Sequence, residues 1–327
     1  MINKTSLQKN LKVSLPLLTF LIIAFCFFVR PAQASSVQDE PLSRYIDRPA
    51  PPVSPESAKQ MERQLAEARA AYEANPNDPD KMIWLGRRLA YPGRFKEAID
   101  VFSEGIRKFP TDARFYRHRG HRYITLRRMD LAIRDFKRAA SLIRGKPDEV
   151  EPDGQPNARN IPTSTLQFNI WYHLGLAYYL TGDYQKALAS YRECLKVSKN
   201  PDALVATTHW QYMTLRRLNR TSEANRLLSA IDTGLEIIEN DGYYQLVLMY
   251  KGLVSPQRLL DQVSKQPAGA GSHSVLYGIG SWYLYNGQPD EAMSIFKRIL
   301  STDQWTSFGF IAAEADLQRL QPKPRTI

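Results

Sequence analysis

The stretch WYHLGLAYYLTGDYQKALASY, from Trp171 to Tyr191, interleaves two glycines and three alanines with six aromatics and carries no catalytic group. The same beat recurs along the chain. WLGRRLAYPGRFKEAIDVF (84–102) sets Gly86, Gly93, Phe95, Ala98 and Phe102 in register with it, and RGHRYITLRRMDLAIRDF (119–136) sets Gly120, Tyr123, Met129, Ala132 and Phe136. YGIGSWYLYNGQPDEAMSIF (277–296) does so with Gly280, Tyr283, Gly287, Ala292 and Phe296. In each unit apolar residues return at three- and four-residue steps in two runs, which predicts two amphipathic helices. Turns at Gly93, Gly182-Asp183 and Asn286-Gly287 separate them. Gly86, Gly120, Gly175 and Gly280 each stand twelve residues before Ala98, Ala132, Ala187 and Ala292, where one helix must come close to another. Glycine makes up about 7% of residues, so four at one repeat position is not chance. Phe102, Phe136, Tyr191 and Phe296 are expected to fill the space between pairs, and Pro110 to stop a helix. The stretch is a packing pattern, and its aromatics are core.

These residues resemble the tetratricopeptide repeat, a helix–turn–helix unit of about 34 residues. Trp171, Leu174, Gly175, Tyr178, Gly182, Tyr184, Ala187, Tyr191 and Cys194 follow its pattern, with Cys194 at a small-residue position and expected buried and inert. Copies start near 79, 113, 168, 205, 240 and 273. The copy at 205–238 keeps Ala224 but has Tyr212 at the glycine position; that at 240–272 has Val247 and Leu259 where small residues belong. The resemblance covers about residues 79–300 and implies an all-α, right-handed superhelical solenoid of five to six helix pairs with capping helices.

Around this body the sequence divides as follows. Residues 1–34 have Lys4, Lys9 and Lys12, then the apolar run Leu15–Val29, then Ala32-Gln33-Ala34, the order of a signal peptide cleaved after Ala34. An uncleaved anchor is the rival, but the run is short against the roughly 20 residues of a span; Phe25 before Cys26 argues against lipid attachment. Residues 35–53 are a Pro-rich, disordered linker, and 54–78 an N-terminal capping helix with Ser54 as N-cap and Pro55 at the first position. Copies one and two fill 79–146, an acidic, Pro-rich insertion 147–167, copies three to six (the fifth degenerate) 168–300, and a C-terminal capping helix and tail 301–327. Past the signal, Cys194 is the sole cysteine, so no intramolecular disulfide forms.

The formal charge is +11, and four of the cations lie in the first 34 residues. Residues 79–146 alone hold 18 Lys and Arg against 7 Asp and Glu. A basic block in a near-neutral body points to a local anionic partner. The insertion carries Asp148, Glu149, Glu151 and Asp153. Either it folds over the basic groove and screens it, or it is a solvated loop.

In the repeat family the first helix of each pair lines the concave face. Carried over by position, this selects Trp84, Arg87, Arg114, Arg117, His121, Tyr172, His173, Tyr179, His209, Trp210, Arg216 and Arg217 as peptide-binding candidates. Arginine offers paired donors to carboxylates and aromatics offer flat apolar area, which suits an extended segment bearing acids. The family's carboxylate clamp uses Lys and Asn at several of these positions; Arg and His stand here, so its ligand class does not transfer. His118, His121, His173 and His209 share this face, but no Asp, Glu or Cys joins them in these helices and Arg114 and Arg117 repel a cation, so no metal is expected. There is no HExxH, GxSxG or P-loop, and Gly278-Ile279-Gly280 lacks the rest of a nucleotide fingerprint. Neither catalysis nor a cofactor is expected, and with an export signal nucleic acid is not an expected partner. The expected role is an exported scaffold in the cell envelope that binds an acidic protein segment in this groove; the alternative is an assembly factor acting through convex or end faces.

Overall fold

The computed structural model describes residues 45–265 and 269–320. The signal peptide, Cys26, the linker up to residue 44 and the tail beyond Leu320 lie outside the described residues. All described helices belong to one compact unit that begins at Pro41.

Among the described residues there are fourteen helices, and the one β-contact is an isolated bridge from Val150 to Thr165. α1 (Pro55–Ala74) leads into six helix pairs: α2 (Pro79–Ala90) with α3 (Phe95–Lys108), α4 (Ala113–Thr125) with α5 (Met129–Leu142), α6 (Leu166–Thr181) with α7 (Tyr184–Val197), α8 (Pro201–Arg217) with α9 (Thr221–Ser229), α10 (Asp241–Tyr250) with α11 (Pro256–Ser264), and α12 (Ala270–Tyr285) with α13 (Pro289–Leu300). α14 (Phe308–Leu320) ends the fold. Side-chain oxygens start the helices as sequence chemistry dictates: Ser54, Asp78, Asp112, Thr165, Asp183, Asn200 and Ser255 each accept from backbone N–H groups of the first turn. The all-α repeat solenoid that the resemblance implies is the observed architecture.

The recurring glycine has a specific partner. A Cβ at Gly175 would stand 2.7 Å from the Tyr191 ring, one at Gly280 2.6 Å from Phe296 and one at Gly120 3.0 Å from Phe136, and Phe102 presses on Gly86 in the same way. The aromatic sixteen residues on therefore packs against the glycine of its own pair, not only between pairs. Each ring is at most 1% exposed.

Each turn within a pair needs one residue with left-handed backbone. Gly93, Gly182, Gly252 and Gly287 supply it in copies one, three, five and six, and Asn219 (φ 57°) in copy four. In copy two the position falls to Arg127, with φ 61°. The degenerate fifth copy pairs differently: α10 packs on α8 and α12, and α11 on α12. Its bulky Val247 and Leu259 are both buried where close helix approach would need small side chains.

Two segments depart from their expected places. The chain is ordered and packed from Tyr45 onward, inside the stretch read as a disordered linker. Tyr45 is 4% exposed, stacks on Trp305 at 5.5 Å, and donates its hydroxyl to Glu314. Trp305 Nε1 donates to Pro49 O at 2.8 Å. Prolines pre-set an extended backbone, so little entropy opposes laying this segment along the body. α14 does more than cover an end face: it packs on α12, α13 and also α6.

Candidate functional site

The basic face of copies one and two is built from the last turn of α2 and the length of α4. Arg87 and Arg88 stack their guanidiniums on the Trp84 ring at 4.4 and 5.0 Å. Arg114 is held by Asp112 at 2.7 Å and Asp80 at 2.6 Å, and these carboxylates raise its pKa. Arg117, 8% exposed, meets Glu151 at 2.8 Å and gives Nη1 to His118 Nδ1 at 3.0 Å.

Glu151 comes from the insertion, which is not a free solvated loop at this point. It lies on the basic face. Arg87 donates to Pro152 O at 2.8 Å and Arg88 to Gly154 O at 2.7 Å. Glu151 also accepts from Asn169 Nδ2 at 3.2 Å. Asp148 anchors the loop's exit by accepting from Thr165 Oγ1 at 2.6 Å and Gln167 N at 3.0 Å. Gly154 rests on the Tyr91 hydroxyl with no room for a side chain. The loop's other acids, Glu149 and Asp153, form no ion pair among the described residues, and burial raises the Asp153 carboxyl above its ordinary value.

The candidates of copies three and four sit under α10, α12 and α14. Tyr179, His209 and Trp210 are at most 1% exposed, and Tyr172 and His173 are 5% exposed. Tyr172 hydrogen-bonds Tyr243 at 3.2 Å, and His173 Nδ1 contacts Asn169 O at 2.6 Å. His121 lies 4.7 Å from the His173 ring and 5.4 Å from Phe308 at the start of α14. Burial pushes His173 and His209 down to about 3 and, with nearby arginines, lowers His118 and His121 as well. All four are therefore neutral at physiological pH. Among the described residues no group of three metal-ligating side chains comes together.

Arg217 pairs with Asp316 of α14, which also accepts from Tyr277 OH at 2.8 Å and Arg319 Nη1 at 2.6 Å. Arg216 donates to Tyr212 OH at 2.9 Å and to Asn286 Oδ1 at 3.2 Å. Of the twelve candidates, Trp84, Arg87, Arg114 and Arg117 thus form one basic surface under the loop. The rest are packed against the chain's own segments. Sequence position did not point to Tyr91 and Arg122, nor single out Glu151 among the insertion's four acids, and these three complete the basic site. Their signal is tertiary, since α2, α4 and the insertion meet only in the fold. An open cavity of about 340 Å³ lies beside His121, between Gly242, Tyr243, Gly271 and Phe308.

Three stretches match models of the tetratricopeptide repeat: residues 85–149, 168–201 and 274–303. No curated protein sequence matches the chain. Among solved structures it is similar to YrrB, described as a TPR protein with an unusual peptide-binding site, at 14% identity and TM-score 0.41, over 76% of this chain and 97% of that one. It is also similar to the MamA protein, at 14% identity and TM-score 0.41, over 61% of this chain and 89% of that one. A third likeness is to Naa15/Naa10 bound to HypK-THB, at 18% identity and TM-score 0.35, over 75% of this chain and 35% of that one. Helix order and the glycine–aromatic lock agree with the three matched stretches: these parts of the chain are similar to the tetratricopeptide repeat, and the fold is an all-α solenoid.

Proposed function

We propose that this chain is a non-enzymatic protein–protein interaction scaffold, exported to a periplasm-like or extracellular space, that takes an extended acidic segment of a partner on the basic face of copies one and two. Tetratricopeptide repeats are interaction modules, which supports the scaffold role. The order of basic, apolar and small residues in the first 34 positions supports export. The observation that carries the ligand class is Glu151 seated on Arg117, with Pro152 O on Arg87 and Gly154 O on Arg88. The face already holds an extended acidic strand, and that strand is the chain's own. A partner segment of the same chemistry competes with it.

The test uses a labelled synthetic peptide of residues 147–156 and fluorescence anisotropy. A variant lacking 147–160 binds the peptide. The intact chain binds it about tenfold more weakly or worse, because the tethered loop acts at high effective concentration. Rising salt weakens capture of the peptide, because salt screens its acids and the open basic face before the Arg117–Glu151 pair closes. A folded deletion variant that ignores the peptide overturns the proposal.

For copies three to six a second reading has its own support. Inner-face candidates of copies three and four are covered by α10, α12 and α14, so partners of that half meet convex or end surfaces, as an assembly factor would. Capture of a partner that survives Arg114→Glu with Arg117→Glu, in protein that remains helical, selects this reading.

A further inference from the structure

Below the loop, α2, α3 and α4 enclose a cavity of about 120 Å³. A water needs about 10–15 Å³ of such space, so the cavity holds a small polyatomic ion together with water. Arg87 and Tyr91 from the end of α2, Arg117, His121 and Arg122 from α4, and Glu151 from the loop form its walls. Three guanidiniums therefore face one carboxylate.

That carboxylate is committed. Glu151 is taken by Arg117 Nη2 and Asn169 Nδ2. Arg117 Nε is buried with no acceptor. Arg87 makes its hydrogen bond to a backbone carbonyl and forms no ion pair among the described residues, with the Asp153 carboxylate near enough to attract it only at longer range. Arg122 has neither hydrogen bond nor ion pair from its guanidinium among the described residues. The neighbouring histidines supply no negative charge, and Asp153 forms no ion pair among the described residues, acting on Arg87 only at longer range. Burial, with repulsion from Arg117 and Arg87, lowers Arg122 to about 10, so it stays cationic at neutral pH. Unbalanced charge this close to a protein interior is costly, and guanidinium forks match the paired oxygens of a tetrahedral anion.

We propose that this cavity is a binding site for a phosphate-class oxyanion, held by Arg87, Arg117 and Arg122. A phosphate offsets the positive excess that Glu151 and the more distant Asp153 leave on the three cations. The ion is either a free anion or the phosphoryl group of a modified side chain. The inference does not depend on the scaffold reading, because inorganic phosphate tests it without any partner.

Calorimetric titration of the purified chain with sodium phosphate, at ionic strength fixed with chloride, shows saturable binding, and the melting temperature rises in phosphate over chloride. Arg122→Gln and Arg87→Gln each weaken binding about tenfold, the loss of one charge-assisted contact. A phosphoserine peptide that binds more tightly than both phosphate and its unmodified twin assigns the group to a partner; phosphate binding at least as tight assigns a free ion. No saturable phosphate binding to the wild-type chain overturns the site. So does binding that both folded variants retain, which places the ion elsewhere.

Discussion

At the scale of single residues, Arg127 is the position where local and tertiary demands oppose each other most plainly. The turn of copy two requires left-handed backbone, which costs a residue with a side chain roughly 1–2 kcal/mol. The side chain offsets this. Its Nε donates to Glu314 at 2.9 Å, Nη1 to Thr125 O at 2.6 Å and Nη2 to Trp305 O at 2.9 Å, and its plane lies 4.0 Å from the Tyr45 ring. One guanidinium thus ties the second copy to both ends of the described chain. Arg127→Gly removes the backbone strain and the clamp together, whereas Arg127→Ala keeps the strain and loses the clamp. Urea melts should show both variants destabilised, alanine by about 1 kcal/mol more than glycine. Equal stability of glycine variant and wild type would mean that the clamp contributes no more than the strain it offsets.

At the scale of helices, α14 rests on a buried acid. Asp316 is 1% exposed and holds Arg217, Arg319 and Tyr277. Asp316→Ala leaves Arg217 confined without a counter-charge, a loss of about 3–5 kcal/mol in chemical denaturation. Changing the pair together, Asp316→Leu with Arg217→Met, recovers much of that loss because neither charge remains buried. A double variant no more stable than the single one would contradict this. The helix pairs, their turns and their order were legible from glycine and alanine spacing, because a close approach leaves a local mark on sequence. Starts expected at 79 and 113 are observed at Pro79 and Ala113; those expected at 205 and 273 fall at Pro201 and Ala270, where proline or a loop sets the boundary. The place of α14 was not read, yet a trace of it existed. Eleven of the sixteen residues of α6 and thirteen of the seventeen of α8 are buried, and WYHLGLAYYL is apolar on every side. A helix lining an open groove keeps one wet face; a helix apolar all round is covered. What covers it is a tertiary fact that no local pattern encodes, and for the same reason Glu151 could not be matched to Arg117 from sequence.

For the molecule as a whole, the inner-face residues are covered by the chain's own segments, by the insertion at Glu151, by α10 at Tyr243 and Tyr250 and by α14 at Asp316, and this determines how stability responds to acid. His173 and His209 are neutral in the folded chain, with pKa values near about 3 because burial disfavours the imidazolium. Unfolded, each titrates at about 6.5. Between these values the unfolded chain binds protons that the folded chain refuses. Stability is therefore fully present above about pH 6.5 and is lost as pH falls toward 3, by at most about 1.4 kcal/mol per pH unit for each histidine. His209 lies 4.8 Å from the Tyr243 ring and shares a 3.1 Å hydrogen bond with Tyr250 OH. His209→Phe keeps the ring stack and removes the titrating group. The variant loses the tyrosine's partner at every pH, so its melting temperature is lower at pH 7. Its decline from pH 7 to pH 4.5 is shallower than that of the wild-type chain, and melts across that range measure the difference. Parallel declines would show that acid reaches His209 without unfolding the inner face, and would remove the case that the chain's own segments seal it.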